Sequence, residues 1–417
     1  MQTKIKTIKQ LRHNIPTIAQ NSLWVIWTQI ISGFFAFITT IVLSNTLSKE
    51  VFGEYRFYLS IIPMLVIFSL PGISVAIIQS VARNKKICLS HTALARIKYG
   101  FIASFISAII SAYYFFIKNN INLATAFFLI AMSMPLFDSF SVALAYLKGK
   151  EKFNISFIYE STLVITLSLF LIIFSQLTEN PIILLAIYIL SHIIVHILFF
   201  KKYALKNKYT FNSEDTDKVI IFGKKLFPID ALGALGSSID KILIWHLLGA
   251  QALAIYTVSL TIPLFINRAF SFIPQVLLPR LSRVNYSNKQ DIYKILKRIA
   301  LFFLLLLFIP LFYIPLSPYI FITVFKKYPE AIVSSQLMSI VIIFQIISAI
   351  LWSMITANKN HKIMLIISLL HIIIPALFFI SLKNLYGINA MILGFGVFQI
   401  LSIIIIVINL ILRIRSK

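Results

Sequence analysis

The chain has 417 residues, of which 59% are hydrophobic and 12% charged; 38 Lys and Arg against 13 Asp and Glu give a net charge of +25, and the mean hydropathy is +0.92. Soluble domains are about a quarter charged, so the totals exclude an ordinary water-soluble globule and indicate a polytopic membrane protein. The bases sit in short segments between apolar runs, which suits topology signals and anionic headgroups rather than nucleic acid, and the lone Cys88 excludes an intramolecular disulfide framework.

The first segment, residues 1–20, interleaves Ile5, Ile8 and Leu11 with Lys4, Lys6, Lys9 and Arg12. It reads as a basic amphipathic helix at the cytoplasmic interface, with no cleavable leader ahead of the long apolar run from Leu23. Hydropathy then predicts twelve spans: 21–45, 55–79, 98–117, 122–146, 154–176, 180–200, 226–248, 251–277, 299–323, 332–356, 363–382 and 387–412. Each is expected to be helical, because backbone polar groups in lipid must be satisfied within the segment. Interior Pro63, Pro71, Pro135, Pro263 and Pro274 predict kinks or broken turns.

The spans divide into an N-terminal six-helix bundle (21–200), a cytoplasmic linker (201–225), a C-terminal six-helix bundle (226–412) and a short tail (413–417). With the amino terminus inside, the inside segments hold 30 of the Lys and Arg residues and the outside segments six. That bias predicts that both termini are cytoplasmic. An internal repeat supports the division. Leu47, Tyr55 and Pro63 line up with Leu248, Tyr256 and Pro263, and LKGKEKF (147–153) recurs at roughly the same shift as TANKNHK (356–362). Six spans per half give the halves one orientation, related by an axis along the membrane normal, with the substrate path expected between them.

The seventh span is the most informative. An ionisable group in a spanning helix costs about 2.5–3.5 kcal/mol on insertion scales, so it normally faces protein or water. Asp230, Gly233, Ser237 and Asp240 fall on one helical face, with Ile229, Leu232, Leu235, Ile239 and Ile242 around the other side. A polar, small-residue stripe with an apolar back suits the wall of an aqueous cavity. The eighth span continues the theme with Thr257, Thr261, Arg268, Ser271 and Gln275 on one face, and the second carries Arg56 and Ser60.

Taken together, several segments are similar to polysaccharide flippases. LSKEVFGEYRFYLSI after the first span resembles that family's LG-x-x-x-F/L-G-x-Y segment, and SSIDKILIWHLLGAQALAIYTVS resembles its second-half copy. IPQVLLPRLSRV (273–284), VFKKYPEAI (324–332) and NLYGINAMILGFGV (384–397) resemble its later landmarks. The second copy reads Ala254-Ile255-Tyr256 where the family has Gly-x-Tyr, and Asn389 stands where Gly is usual. The resemblance is to the Wzx-type O-antigen and capsule flippases of the multidrug/oligosaccharidyl-lipid/polysaccharide exporter superfamily. It implies an all-α protein of two six-helix bundles around a central cavity in a bacterial inner membrane. The implied activity is transfer of an undecaprenyl-pyrophosphate-linked oligosaccharide across that membrane by alternating access. It also implies no catalysis and no bound cofactor, with H+ or Na+ as candidate coupling ion. The polymerase and chain-length regulator of the same pathway are candidate partners.

A flippase for such a substrate needs cations for the pyrophosphate and helix faces that hydrogen-bond sugars. Arg56, Lys241 and Arg268 are the expected phosphate-attracting groups, with Asp240 holding Lys241 or Arg56 in place; arginine's planar fork suits bidentate phosphate binding. Asp138 and Glu160 are carboxylates in otherwise apolar runs, either proton-coupling groups or packing elements. His192 and His196 lie one turn apart with no third ligand in view, so ordinary packing or interfacial placement is expected and no metal. His246 and His371 are uninformative. Two rivals differ in what they require. A cation-coupled multidrug exporter of the same superfamily wants an apolar lumen with few fixed cations. An O-antigen polymerase wants a large outer loop, and every outer loop expected here is short.

Overall fold

A computed structural model describes residues 2–203, 213–271, 289–357 and 361–415, with positions 273, 274, 277 and 281 between them. Among the described residues all regular structure is helical: α1 (Gln2–Thr46), α2 (Lys49–Val66), α3 (Gly72–Ala82), α4 (Leu89–Phe116), α5 (Ile121–Phe137), α6 (Val142–Gly149), α7 (Phe153–Leu177), α8 (Pro181–Tyr203), α9 (Ser213–Leu248), α10 (Ala250–Phe270), α11 (Lys289–Leu306), α12 (Phe308–Val324), α13 (Ala331–Ala357), α14 (His361–Tyr386) and α15 (Asn389–Arg415). Eleven stretches among the described residues are long and apolar enough to cross a membrane. The predicted seventh span lies in α9, which is not among those eleven and carries Asp230, Asp240, Lys241 and His246.

Two predicted spans are broken rather than continuous. The second comprises α2, a 3-10 turn (Ile67–Ser69) and α3, with Leu70 in the left-handed region at φ 57 just before Pro71. A non-glycine residue there costs on the order of 1–2 kcal/mol, which surrounding packing must offset. The fourth is α5, a 3-10 turn (Ser139–Ser141) and α6, broken three residues beyond Pro135. The third begins nine residues earlier than predicted, at Leu89, after an N-cap at Cys88. The linker is narrower than 201–225, because α8 runs to Tyr203 and α9 starts at Ser213.

The chain forms two compact units that cut across the sequence halves. Unit 1 comprises Met1–Ala36, Leu65–Phe174 and Ile182–Ala231, and unit 2 comprises Phe37–Met64, Ser175–Pro181 and Leu232–Lys417. Residues 37–64 of the first repeat belong to the unit that holds most of the second.

In unit 1, α4 lays a small-residue face on α5. Ser104, Ser107 and Ser111 donate to the carbonyls of Ala131, Phe127 and Ala124, one contact per turn. At Gly100 a Cβ would lie 2.9 Å from Pro135 Cα, so only glycine permits that approach. The opposite side of α4 exposes Phe101, Phe105 and Ile109. Apolar outside and small or polar inside is the arrangement expected of helices in lipid, where close backbone packing and hydrogen bonds drive association. The core around Ile73, Ile77, Val81, Val142 and Ala143 joins α3 to α6.

In unit 2, α13 is the central helix: Ile343, Ile346, Ile350 and Met354 enter a core completed by Ile367, Phe398 and Ile406. Gly394 admits α15 against Pro375 of α14, where a Cβ would stand 2.8 Å from the proline Cα. The repeat-related helices α2 and α10 meet at their starts. A Cβ on Gly53 would lie 1.9 Å from the Ala250 carbonyl oxygen. Nearby, Asn45 donates to the Val324 carbonyl at 2.7 Å, Lys327 donates to the Leu47 carbonyl at 3.0 Å, and Lys49 pairs with Glu330 at 2.8 Å.

Candidate substrate path and its charged residues

Within unit 2, the charged residues of α9 are held by the helix that follows. Asp240 is 4% exposed and accepts from the Tyr256 hydroxyl at 2.9 Å and from Lys241 Nζ at 3.1 Å. Lys241 also donates to the Ser237 carbonyl at 2.8 Å. The expected Asp240–Lys241 pairing is therefore present, and Tyr256, one of the repeat-aligned residues, is its buried third member. The predicted polar stripe is not uniformly open. Gly233 and Ser237 are exposed, and nothing lies within 4 Å of a Cβ added at Gly233, whereas Asp240 is turned inward. His371, unremarkable in sequence, fills the space that a side chain at Gly236 would need, 2.8 Å from its Cβ position. Trp245 stacks on Phe57 at 4.0 Å while its indole N–H is buried without a hydrogen-bond partner among the described residues.

The other two predicted phosphate-binding cations differ. Arg56 donates to Thr40 Oγ1 at 2.7 Å and lies 4.9 Å from the Phe52 ring centre, so it is packed into protein rather than extended along an interface. Arg268, near the end of α10, is exposed and has no hydrogen-bond or ion-pair partner for its guanidinium among the described residues. Thr261 and Ser271 donate back to the Thr257 and Arg268 carbonyls, which leaves their hydroxyl oxygens as acceptors. Gln275 lies outside the described residues.

Within unit 1, the two carboxylates that the sequence places in apolar runs, Asp138 and Glu160, are both ion-paired. Glu160 accepts from Lys148 at 2.7 Å. Asp138 pairs with Arg96, a residue assigned by hydropathy to a cytoplasmic loop. Arg96 instead lies in the second turn of α4 and is fully buried. Its Nε donates to the Ser69 carbonyl at 3.2 Å, and its Nη1 to Ser74 Oγ at 3.2 Å and Ser141 Oγ at 2.7 Å. A periodic signal for this was present in the sequence: Ala93, Arg96, Gly100, Ala103, Ser107 and Ser111 recur on one helical face, and all are buried. Asp230 sits against the start of α3, accepting from the Gly72 backbone N–H, with its second oxygen buried and without a partner among the described residues. Asp230 falls in unit 1, and Ser237 and Asp240 in unit 2, although all three lie on α9. His192 packs among aromatic rings, 5.0 Å from Phe137 and 4.6 Å from Tyr188, and no group of three metal-ligating side chains occurs among the described residues.

Solved structures of MOP superfamily transporters share this fold. The lipid II flippase MurJ in an inward closed conformation matches with a TM-score of 0.71 at 15% identity, covering 94% of this chain and 87% of that one. An inward-facing multidrug resistance MATE transporter matches at 0.62 and 12% identity over 94% and 98% of the two chains. A Pyrococcus furiosus MOP transporter, described as having a binding pocket of reverse polarity, matches at 0.60 and 13% identity over 96% of each. No curated protein sequence matches significantly. Residues 18–285 match the family model for polysaccharide biosynthesis proteins, and the chain belongs to that family.

Proposed function

We propose that the protein is a flippase that carries an undecaprenyl-pyrophosphate-linked oligosaccharide, an O-antigen or capsule repeat unit, from the cytoplasmic to the outer leaflet of a bacterial inner membrane. Membership of a polysaccharide biosynthesis family supports the substrate class, and the superfamily fold supports movement by alternating access rather than bond-breaking chemistry. The single observation that carries the reading is Arg268. A guanidinium at the end of an apolar helix, without a carboxylate partner among the described residues, is costly unless water or an anionic ligand satisfies its donors. A pyrophosphate supplies oxygens in the geometry a guanidinium binds best. Lys241, partly neutralised by Asp240, is the second cation, placed so that Ser237 and Gly233 leave the neighbouring surface open for sugar hydroxyls.

In this mechanism the prenyl chain stays in lipid while the headgroup moves along the polar faces of α9 and α10. Both termini lie in the cytoplasm, following the distribution of basic residues. Complementation of a flippase-null strain tests the proposal. Arg268→Ala should insert at normal level in the membrane fraction and export no surface glycan, and Arg268→Lys, with a point charge in place of the fork, should restore only part of it. Full export by Arg268→Ala contradicts the assignment.

A further inference from the structure

Within unit 2, α11 and α12 share one outward face that changes character along its length. The two helices run on through Leu307, whose N–H donates to the Phe303 carbonyl at 3.2 Å and whose carbonyl accepts from Leu311 at 3.3 Å. The helical period therefore holds from one into the other. Leu296, Ile299, Phe303 and Leu306 face the core that holds Ile350 and Met354. The opposite face is exposed. It presents Tyr293, Lys294, Lys297 and Arg298 first, and then Leu301, Leu304, Leu305 and Phe308 in register with them. Exposed large apolar side chains continue along α12 to Ile322. The helical rise makes Leu301 to Ile322 about 30 Å, the thickness of a bilayer's hydrocarbon core. The basic positions therefore stand at headgroup depth.

We propose that this face is a binding site for an anionic phospholipid, with the phosphate held by Lys294, Lys297 and Arg298 and the acyl chains laid along Leu301, Leu304, Leu305 and Phe308. Charge carries the argument. Between Tyr293 and Leu306 the sequence has three cations and no carboxylate. None of the three has an ion-pair partner among the described residues. Lys294 lies three and four residues from Lys297 and Arg298, spacings at which like charges face each other and destabilise a helix. A phosphodiester between them reverses that repulsion, and the arginine fork and both ammonium groups can donate to its oxygens. Tyr293, an amphipathic ring beside the bases, suits the same depth. A signal that only oriented the chain would need bases near the span, but no apolar track leading away from them on the same side. The lipid is a bound neighbour rather than cargo, so the inference goes beyond the flippase reading and does not rest on it.

Native mass spectrometry of the full chain in detergent tests the site, with phosphatidylglycerol and zwitterionic phosphatidylethanolamine as the titrated lipids. The native chain should bind phosphatidylglycerol the more tightly. The triple variant Lys294→Gln/Lys297→Gln/Arg298→Gln should lose at least roughly tenfold of that affinity and bind phosphatidylethanolamine as before. A control, Arg83→Gln/Lys150→Gln/Lys152→Gln, removes as much charge from exposed turns of unit 1 and should change the affinity by less than about twofold. Leu301→Trp leaves the bases in place and serves should the α11 variant misfold. Its added fluorescence should be quenched more strongly by acyl-brominated phosphatidylglycerol than by equally brominated phosphatidylethanolamine. Native affinity in the α11 variant, an equal loss in the control, or equal quenching by the two lipids overturns the proposal. Binding of a polyprenyl pyrophosphate without binding of phosphatidylglycerol also overturns it, and would make this face a loading point for cargo.

Discussion

Two residues that decide the interior, Arg96 and Tyr256, were legible to different degrees. Tyr256 stood out as a repeat-aligned position, yet nothing local in sequence says that its hydroxyl would reach back sixteen residues to Asp240. Arg96 was hidden by its neighbours, because Arg83, Lys85, Lys86 and Lys98 make the surrounding stretch look like a basic loop. Only the small-residue periodicity that continues from it through Ser111 marks its face as the packed one. Tyr256→Phe removes one of the two groups that satisfy the buried Asp240 carboxylate, which should destabilise the protein by about 1–3 kcal/mol. A lower thermal unfolding midpoint in detergent, with the loss absent in an Asp240→Asn background, checks it. The Lys49–Glu330 pair is the opposite case. Lysine's hydrogen bond holds the Glu330 carboxyl below its ordinary value, so the pair's contribution is present at neutral pH and is lost as pH falls through the lowered value. Because Glu330 is exposed, the amount is under about 1 kcal/mol and shrinks with salt. Glu330→Gln should leave the unfolding midpoint nearly unchanged in high salt and slightly lower in dilute buffer.

At the scale of elements, hydropathy placed the helices, with the seventh on the charged α9, but could not see where two of the spans break. A break at Pro71 was foreseeable from the missing N–H. The one at 138–141 follows Pro135, where Ser104 donates to the Ala131 carbonyl and Ser139 to the Pro135 carbonyl. Helix contacts were legible where they depend on glycine. Gly53 opens α2 in the segment aligned with the second repeat, and it lies where the start of α10 leaves no room for a Cβ. Gly53→Val must push α2 and α10 apart or strain both, a cost of about 1–3 kcal/mol for overpacking. Cysteines placed at Lys49 and Glu330 in a Cys88→Ser background should cross-link less readily with Gly53→Val than without it. Equal cross-linking would show that the two helices separate without disturbing the neighbouring connections.

For the whole molecule, the sequence conveyed an all-helical membrane protein with an internal repeat, while the compact units follow a different division. Sequence repeats record ancestry, whereas packing units record which surfaces are complementary, and residues 37–64 pack with the second repeat. The polar path was legible as far as α9 and α10 carry charge, and illegible where burial separated Asp240 from Ser237 on what hydropathy treats as one face. Under the proposed function, cations in those helices conduct a pyrophosphate headgroup across the bilayer. Its most direct test uses proteoliposomes loaded in one leaflet with an undecaprenyl-pyrophosphate-linked oligosaccharide, whose glycan is probed by an enzyme confined to the other side. The native chain should make the glycan accessible, and Arg268→Ala should not. Accessibility that requires no protein, or that survives unchanged in Arg268→Ala, would contradict it.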